Sequence, residues 1–394
     1  MRIAYVAYPL DLNLQAANSV QTYYTSKELR RIAPRTLVLL PRLPGQSSRF
    51  DEVGAIYLPR IPVGKLSKFV KSSGWYYVER SLFAFLIFFL LLGRRLRGRK
   101  IDVIYCRDVI ISFWLTWLKR PLGARLIYEV HEIESEGNHR ARGWLWRRLL
   151  PLIDRRALKR SDGLASLTHT FVPLAEQQGI SRRRIAVIPD AFDEATYQPR
   201  DRVTARAKVG LLQTHFIFTY AGLTFAYRGL DTLLAAFAAA DLPTATLVLV
   251  GGKDSEQAAL KQQAAQQGIS GQVILTGRKE GAIVADYLAA ADALLIPDTV
   301  TKATASPLKL FEYMAMGRQI ILPALPALQE VLPEAAALYF VPGDQSSLTA
   351  ALQAAVNNPS QAIRRGLIAQ QASTSYTYRA RAEKVLAWCE EVAR

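Results

Sequence analysis

The chain has 394 residues, half of them hydrophobic, and a formal net charge of +17. That length supports about two domains with sizeable cores, at roughly 150 residues each. Its two cysteines, Cys106 and Cys389, exclude a disulfide framework and point to a reducing compartment, while the surplus of positive charge calls for an acidic partner: nucleic acid, an anionic membrane or a phosphorylated substrate.

The N-terminal MRIAYVAYPL has one Arg, a short apolar run and no small-residue cleavage site. It reads as a first buried strand over residues 2–7, not a secretory leader, so the protein is expected in the cytoplasm. A helix follows over 19–32, then strands at 35–41, 101–107, 124–131, 161–168 and 184–190. DAFDEATYQPRD has the composition of a linker. A second series then opens: strands at 215–222, 244–252, 271–278, 293–298, 318–325 and 337–344, with helices at 229–240 and near 256–267. Short β-branched runs alternating with helical patterns give buried parallel strands. Two such series without a sequence repeat predict an α/β protein of two Rossmann-like, doubly wound domains facing across a cleft, with ligands at the carboxyl ends of the strands. The last helical pattern, 379–394, need not belong to the second series.

Residues 82–92 are apolar without interruption, and Arg94, Arg95, Arg97, Arg99 and Lys100 follow. Eleven residues at about 1.5 Å each reach little more than half of a roughly 30 Å hydrocarbon core, so this run is not expected to cross a membrane. Being apolar all round, it fits a helix mostly buried against the sheet, with its basic end at lipid headgroups. A second stretch, 140–160, mixes Trp144 and Trp146 with many Arg. Basic residues beside aromatics suit an anionic bilayer surface.

The segment SPLKLFEYMAMG carries the strongest chemical signal. Ser306 suits an N-cap and Pro307 the first helical turn. Lys309 and Glu312 are three apart and share a face. At a helix N-terminus, backbone N–H groups attract phosphate, Lys309 adds a charge, and a carboxylate can hold ribose hydroxyls. A capped, packed helix with solvated charges is the plainer alternative. No Cys/His spacing suits a metal.

This segment resembles the donor-site helix of family 4 glycosyltransferases, which have the GT-B fold. Other stretches agree in order. QAANSVQTYYTSKELRR resembles the loop and helix that approach the acceptor, VIPDAFDEATYQP the interdomain connection, YAGLTFAYRGLDTLLAAF the diphosphate loop, and VILTGRKEGAIVADYLAAADALLIP the nucleobase stretch. The resemblance covers nearly the whole chain. It implies an N-terminal acceptor-side domain at 1–190, with a helix at 376–394 packing back on it, and a nucleotide-sugar domain at 201–375. It implies retaining transfer from a UDP- or GDP-linked sugar, with no required metal.

Glu312 matches the second glutamate of the family's E-x7-E motif, which contacts ribose. The first glutamate's position is Thr304, so the transferred sugar is left open. Arg228 matches the basic residue that grips the diphosphate. A second Arg, common after the strand glycine, is absent: Gly222 is followed by Leu223, and Lys309 can supply the charge. Ser306, Leu308 and Arg278 fall in the matched donor stretches. His131 matches a histidine near the sugar, and a structural His at a strand end is the alternative. Asn18 and Ser19 replace the Gly-Gly loop of many relatives, on the donor-phosphate or acceptor side. Glu129, Glu132, Glu134 and Glu136 form an acidic cluster in which one carboxylate could serve as acceptor base, solvated charge being the plainer reading. The resulting expectation is a hexosyltransferase acting on a lipid-linked or polysaccharide acceptor, peripheral at the inner face of the plasma membrane. A nucleotide-sugar epimerase of the same fold and a basic nucleic-acid-binding protein are the competing classes. The basic rim speaks against the first, and the lack of a recognition motif against the second, so no nucleic acid is expected.

Overall fold

The computed structural model describes residues 1–62, 74–136, 144–222, 224, 228–297 and 308–394. They fall into two units: Met1–Pro189 together with Tyr378–Arg394, and a second lying between Asp190 and Thr377.

The first unit runs β1 (Ile3–Val6), α1 (Ala17–Ile32), β2 (Leu37–Arg42), β3 (Ile56–Pro59), α2 (Gly74–Leu96), β4 (Val103–Cys106), α3 (Val109–Leu122), β5 (Arg125–Val130), α4 (Trp144–Arg160), β6 (Gly163–Ser166), α5 (Phe171–Gln177) and β7 (Ile185–Val187). Its seven strands are all parallel, in the order β3-β2-β1-β4-β5-β6-β7. The chain reverses direction across the sheet between β1 and β4, which makes their carboxyl ends the natural ligand crevice. Every residue of β1, β4 and β6 is buried, as a sheet covered on both faces requires. The helix that follows β4 has defined ends. Asp108 accepts the N–H groups of Ile110 and Ile111, both at 3.0 Å, and Gly123 closes the helix at φ +61°.

Helix α2 corrects the expectation for the apolar run. It has 23 residues, not eleven, and spans about 35 Å. By length and composition alone it could cross a membrane. Nor is it buried all round. Phe83, Ala84, Ile87 and Leu91 enter the core with Val6, Leu39, Ile104 and Leu126 of the sheet and Ile111 and Leu115 of α3. Leu82, Phe89 and Leu96 face outward, Phe89 at 64% and Leu96 at 79% exposure. The run therefore serves two surfaces: one packs on the sheet and the other is an apolar exterior.

The second unit runs α6 (Arg202–Val209), β8 (Phe216–Ala221), α7 (Leu230–Ala239), β9 (Ala245–Val250), α8 (Asp254–Gln266), β10 (Val273–Gly277), α9 (Gly281–Ala290), β11 (Ala293–Leu295), α10 (Leu308–Ala315), β12 (Gln319–Pro323), α11 (Pro326–Gln329), β13 (Leu338–Phe340), α12 (Gln345–Asn357) and α13 (Pro359–Ser373). Six parallel strands lie in the order β10-β9-β8-β11-β12-β13, so the crevice here opens between β8 and β11. Two glycines let the strand ends meet. A Cβ on Gly251, at φ +133°, would lie 1.9 Å from the carbonyl oxygen of Gly222.

The chain then returns to the first unit through α14 (Tyr378–Ala393). Ala382, Val385, Trp388 and Cys389 join Tyr5, Tyr105, Ile127 and Ala165 in one core. A Cβ on Gly163 would come within 2.8 Å of Val392 and 3.1 Å of Trp388, so the strand glycine lets the helix sit close. Both cysteines are buried and free.

Candidate functional site

Of the residues expected to hold the donor, Lys309 and Gly222 meet at the carboxyl end of β8, with Glu312 one turn along α10. Lys309, in the first turn of α10, lies over the Tyr220 ring with Nζ 4.4 Å from its centroid and donates to the Tyr220 hydroxyl at 3.3 Å. The same Nζ would be 3.3 Å from a Cβ on Gly222, so the cation sits directly against the glycine that ends the strand. Tyr313, further along α10, locks the helix to that strand: its hydroxyl accepts the Ala221 N–H at 2.7 Å. Glu312 lies between Lys309 and Tyr313 in sequence. Burial pushes its carboxyl up to about 7, against the opposing pull of a hydrogen bond from Tyr197 and the Lys309 charge. A half-buried carboxylate poised near neutrality beside a lysine is a strong acceptor for paired hydroxyls.

Arg228 stands immediately before Gly229, which takes φ +67° as α7 begins. Beyond the end of β9, the Glu256 carboxylate accepts from the Thr224 hydroxyl at 2.5 Å and from the Lys253 N–H at 2.9 Å. These bonds fix the loop. Gly252, Lys253, Gln257, Thr276 and Arg278 line a cavity of about 570 Å³ there. Arg278 is exposed at its wall. Leu308 opens α10 and is half-buried. Ser306, Pro307 and Thr304 lie outside the described residues.

In the first unit, His131 follows β5 and is tied to a buried charge cluster. Its Nε2 is 2.8 Å from Glu129 Oε1 and 3.2 Å from Arg107 Nη2. Glu129 is fully buried and also receives Arg107 Nε at 2.9 Å, Arg381 Nη2 at 2.7 Å and the Tyr105 hydroxyl. Burial works to raise Glu129, but Arg381 and Arg107 outweigh it and hold the carboxyl well below the usual range. Burial, and then Arg107, push His131 below its ordinary value. In the neutral tautomer that donates Nε2–H to Glu129, Nδ1 is the acceptor. Arg107 reaches on to Gln21 and Thr22 of α1, and Arg381 to the carbonyls of Ile188, at 2.7 Å, and Pro189. One carboxylate thus joins β4, β5, α1 and α14 behind the histidine.

This corrects the solvated-charge reading of the acidic cluster. Glu129 is an internal hub, and Glu134 is buried with the Tyr77 hydroxyl donating to it at 2.9 Å. Glu132 is half-exposed. Ser19 is buried and donates to the Asp11 carbonyl at 2.5 Å, so its hydroxyl is spent on the loop that precedes α1. Asn18 is exposed in the first turn of α1. Sequence reasoning missed Arg107, Tyr105, Gln21 and Arg381. The available signal for Arg107 was its place directly after a strand, at the ligand end of the sheet.

Two family models match. Residues 19–191 fit the glycosyl transferase 4-like domain, and residues 215–358 fit glycosyl transferases group 1. The chain belongs to the family 4 glycosyltransferases. A curated relative, D-inositol 3-phosphate glycosyltransferase 1 of Catenulispora acidiphila, is 27% identical over 212 residues. The match spans half of this chain and about half the length of that relative. Among solved structures, sucrose-phosphate synthase from Thermosynechococcus elongatus superposes with a TM-score of 0.79 at 17% identity, covering 99% of both chains. HepE of Anabaena, solved with UDP, gives 0.77 at 15% identity over 99% of this chain and all of that one. At these identities the structures show the fold, which is GT-B.

Proposed function

We propose that this glycosyltransferase is a retaining enzyme that moves a hexosyl group from a UDP- or GDP-linked sugar to a lipid-linked or polysaccharide acceptor at the cytoplasmic membrane face. The observation that carries the donor half is the grouping of Gly222, Tyr220 and Lys309 at the end of β8, with Glu312 one turn along α10. A cation against a strand-end glycine suits a diphosphate, and a poised carboxylate one turn away suits a ribose diol. The complexes of HepE with UDP and with UDP-glucose support a uridine donor.

In the reaction, the bond from C1 of the sugar to the diphosphate oxygen breaks and its electron pair stays on the diphosphate. The acceptor hydroxyl oxygen bonds C1 on the same face, and its proton passes to the departing diphosphate. Negative charge grows on the leaving group, so Lys309 and Arg228 stabilise the transition state more than the bound donor. His131, held by Glu129, offers Nδ1 to a sugar hydroxyl. The apolar and basic exteriors of α2 and α4 support an anionic membrane as the setting for the acceptor.

The test is calorimetric titration of UDP and GDP into the purified chain and its Glu312→Ala variant, followed by NMR of the product formed from the donor that binds. Binding that the variant loses, with a product of the donor's anomeric configuration, supports the reading. Unchanged affinity in the variant overturns the donor site, and an inverted product overturns retention.

A further inference from the structure

A groove of about 1500 Å³ lies at the opposite end of the first sheet from His131. It runs beneath the N-terminal ends of β4, β5, β6 and β7 and the C-terminal ends of α3 and α4, with α14 along one wall. The six residues of β5 separate it from His131 by roughly 20 Å, at about 3.3 Å per residue. It takes no part in the reaction proposed above.

Nine basic side chains and three carboxylates line it among the described residues. Part of this charge is structural. Asp162 is occupied by Lys119 at 2.5 Å, by Arg125 at 3.5 Å and by the Leu126 N–H at 2.7 Å. Asp102 accepts the Arg2 N–H at 2.8 Å. Arg184 donates to the carbonyls of Lys159, at 3.1 Å, and Ser161, and Lys119 to that of Arg160 at 2.9 Å. Cations at helix C-termini answer the helix dipole, and these two do so directly.

Lys100, Arg120, Arg156, Lys159 and Arg160 are surplus to that need: none has a carboxylate in ion-pair reach among the described residues. Arg156 is also held in one orientation. Its guanidinium lies over the Trp117 ring, 3.3 Å from the centroid, and its Nε donates to the Thr116 hydroxyl at 2.8 Å. The bond to Thr116 uses Nε and not the terminal nitrogens. Burial, and then the charges of Arg160 and Arg120, lower its proton affinity. Like charges therefore converge on a half-buried, fixed guanidinium. Such a fork suits the oxygens of phosphate.

We propose that this groove is a second anion site, separate from the donor site, that holds a ligand bearing clustered phosphates. That chemistry belongs both to a soluble oligophosphate and to the headgroups of an anionic bilayer. Two arms distinguish them, both on the full chain. The first titrates inorganic tripolyphosphate in the presence of saturating UDP, so that the donor site is occupied. The second floats the protein with phosphatidylcholine vesicles, with and without phosphatidylglycerol. Each is repeated with Arg156→Gln/Lys159→Gln/Arg160→Gln and with the milder Lys159→Gln/Arg160→Gln, whose side chains lie outside the apolar core. The triple variant should lose on the order of 100-fold in affinity, from roughly a factor of five per cation, and the double variant roughly 25-fold. UDP affinity should stay unchanged in both, which keeps this test independent of the donor-site reading, and an unchanged Trp-detected urea midpoint reports that the first unit, which carries the substitutions, still folds. Tripolyphosphate binding that falls in the variants assigns a soluble ligand. Vesicle binding that needs phosphatidylglycerol and falls in the variants assigns headgroups. Absence of both, or binding that the variants leave intact, overturns the site.

Discussion

Replacing Glu312 with Gln tests the donor site through a quantity other than turnover. In the unfolded chain this carboxyl ionises near its ordinary 4.5, and in the fold only near 7. Between those values the folded state holds a proton that the unfolded state has lost. The contribution of this group to stability is therefore full below about pH 4.5 and is lost as pH rises through 7. At 1.36 kcal/mol per pH unit, ionised Glu312 costs the fold at most about 3 kcal/mol above pH 7. Gln keeps the shape of the protonated acid and cannot ionise. Glu312→Gln should thus match the wild type at pH 4.5 and exceed its stability by up to about 3 kcal/mol at pH 8.

The two units make the readout separable. All six Trp residues lie in the first unit, so Trp emission during urea unfolding follows that unit, while far-UV circular dichroism follows both. The variant should shift the dichroism transition at pH 8 and leave the Trp transition in place. Its UDP affinity should fall about 10–100-fold, the loss of a charged hydrogen-bond acceptor worth ~1.5–3 kcal/mol. Wild-type UDP affinity should weaken as pH drops below 7, and the variant's should not. A stability difference of equal size at pH 4.5 and pH 8 would refute the burial argument, and UDP affinity flat with pH in the wild type would refute the ribose contact.

Lys309→Met should weaken UDP binding by about 10-fold or more, as the proposed contact of its ammonium with phosphate requires, while the loss of its contacts with the ring and hydroxyl of Tyr220 lowers the second unit's stability by only about 1 kcal/mol; calorimetry beside a urea melt checks both. Gly251→Ala should unfold the second unit, because the new Cβ meets the Gly222 carbonyl at 1.9 Å and the backbone at φ +133° disfavours a side chain; hydrogen exchange across β8 and β9 reads the loss. Arg381→Met should cost the first unit about 3–5 kcal/mol by leaving Glu129 short of a buried partner, seen in the Trp-detected urea transition. Glu129 is held low, so the stability it contributes is present above the ordinary carboxylate range and lost as pH falls through its folded value. The first unit should accordingly unfold in acid, and that transition should be absent or blunted in the Arg381 variant.

The strands were legible because parallel sheets buried on both faces spell continuous apolar runs, as in LVLV of β9 and IIL of β12. Most limits move inward, by one to four residues, where the ladder stops before the apolar pattern does, while β2 ends one residue later than expected. The family 4 identity was legible from ordered motifs. The face of α2 was not. A run apolar at every position carries no periodicity, so only the packed structure separates Ile87 at the core from Phe89 at the surface. Strand β3 was missed for a related reason: IYLP has four residues, ends in Pro and lies at the sheet edge.

The carboxylates show the deeper limit. Glu129 and Glu312 are the same side chain in chemically similar sequence, each beside apolar residues and near a basic one. Burial acts on both in the same direction. Two guanidiniums reach Glu129 from residues 22 positions before it and 252 after it, and their charge overcomes burial. Glu312 has one nearby lysine and a phenol, which do not. The difference between a carboxylate locked ionised as a strut and one poised to titrate at a ligand is set by partners distant in sequence. Local motif reading found Glu312 because its helix is self-contained. It named Glu129 only as one of four acidic neighbours and could not assign its role, which exists only once α14 has closed over the first sheet.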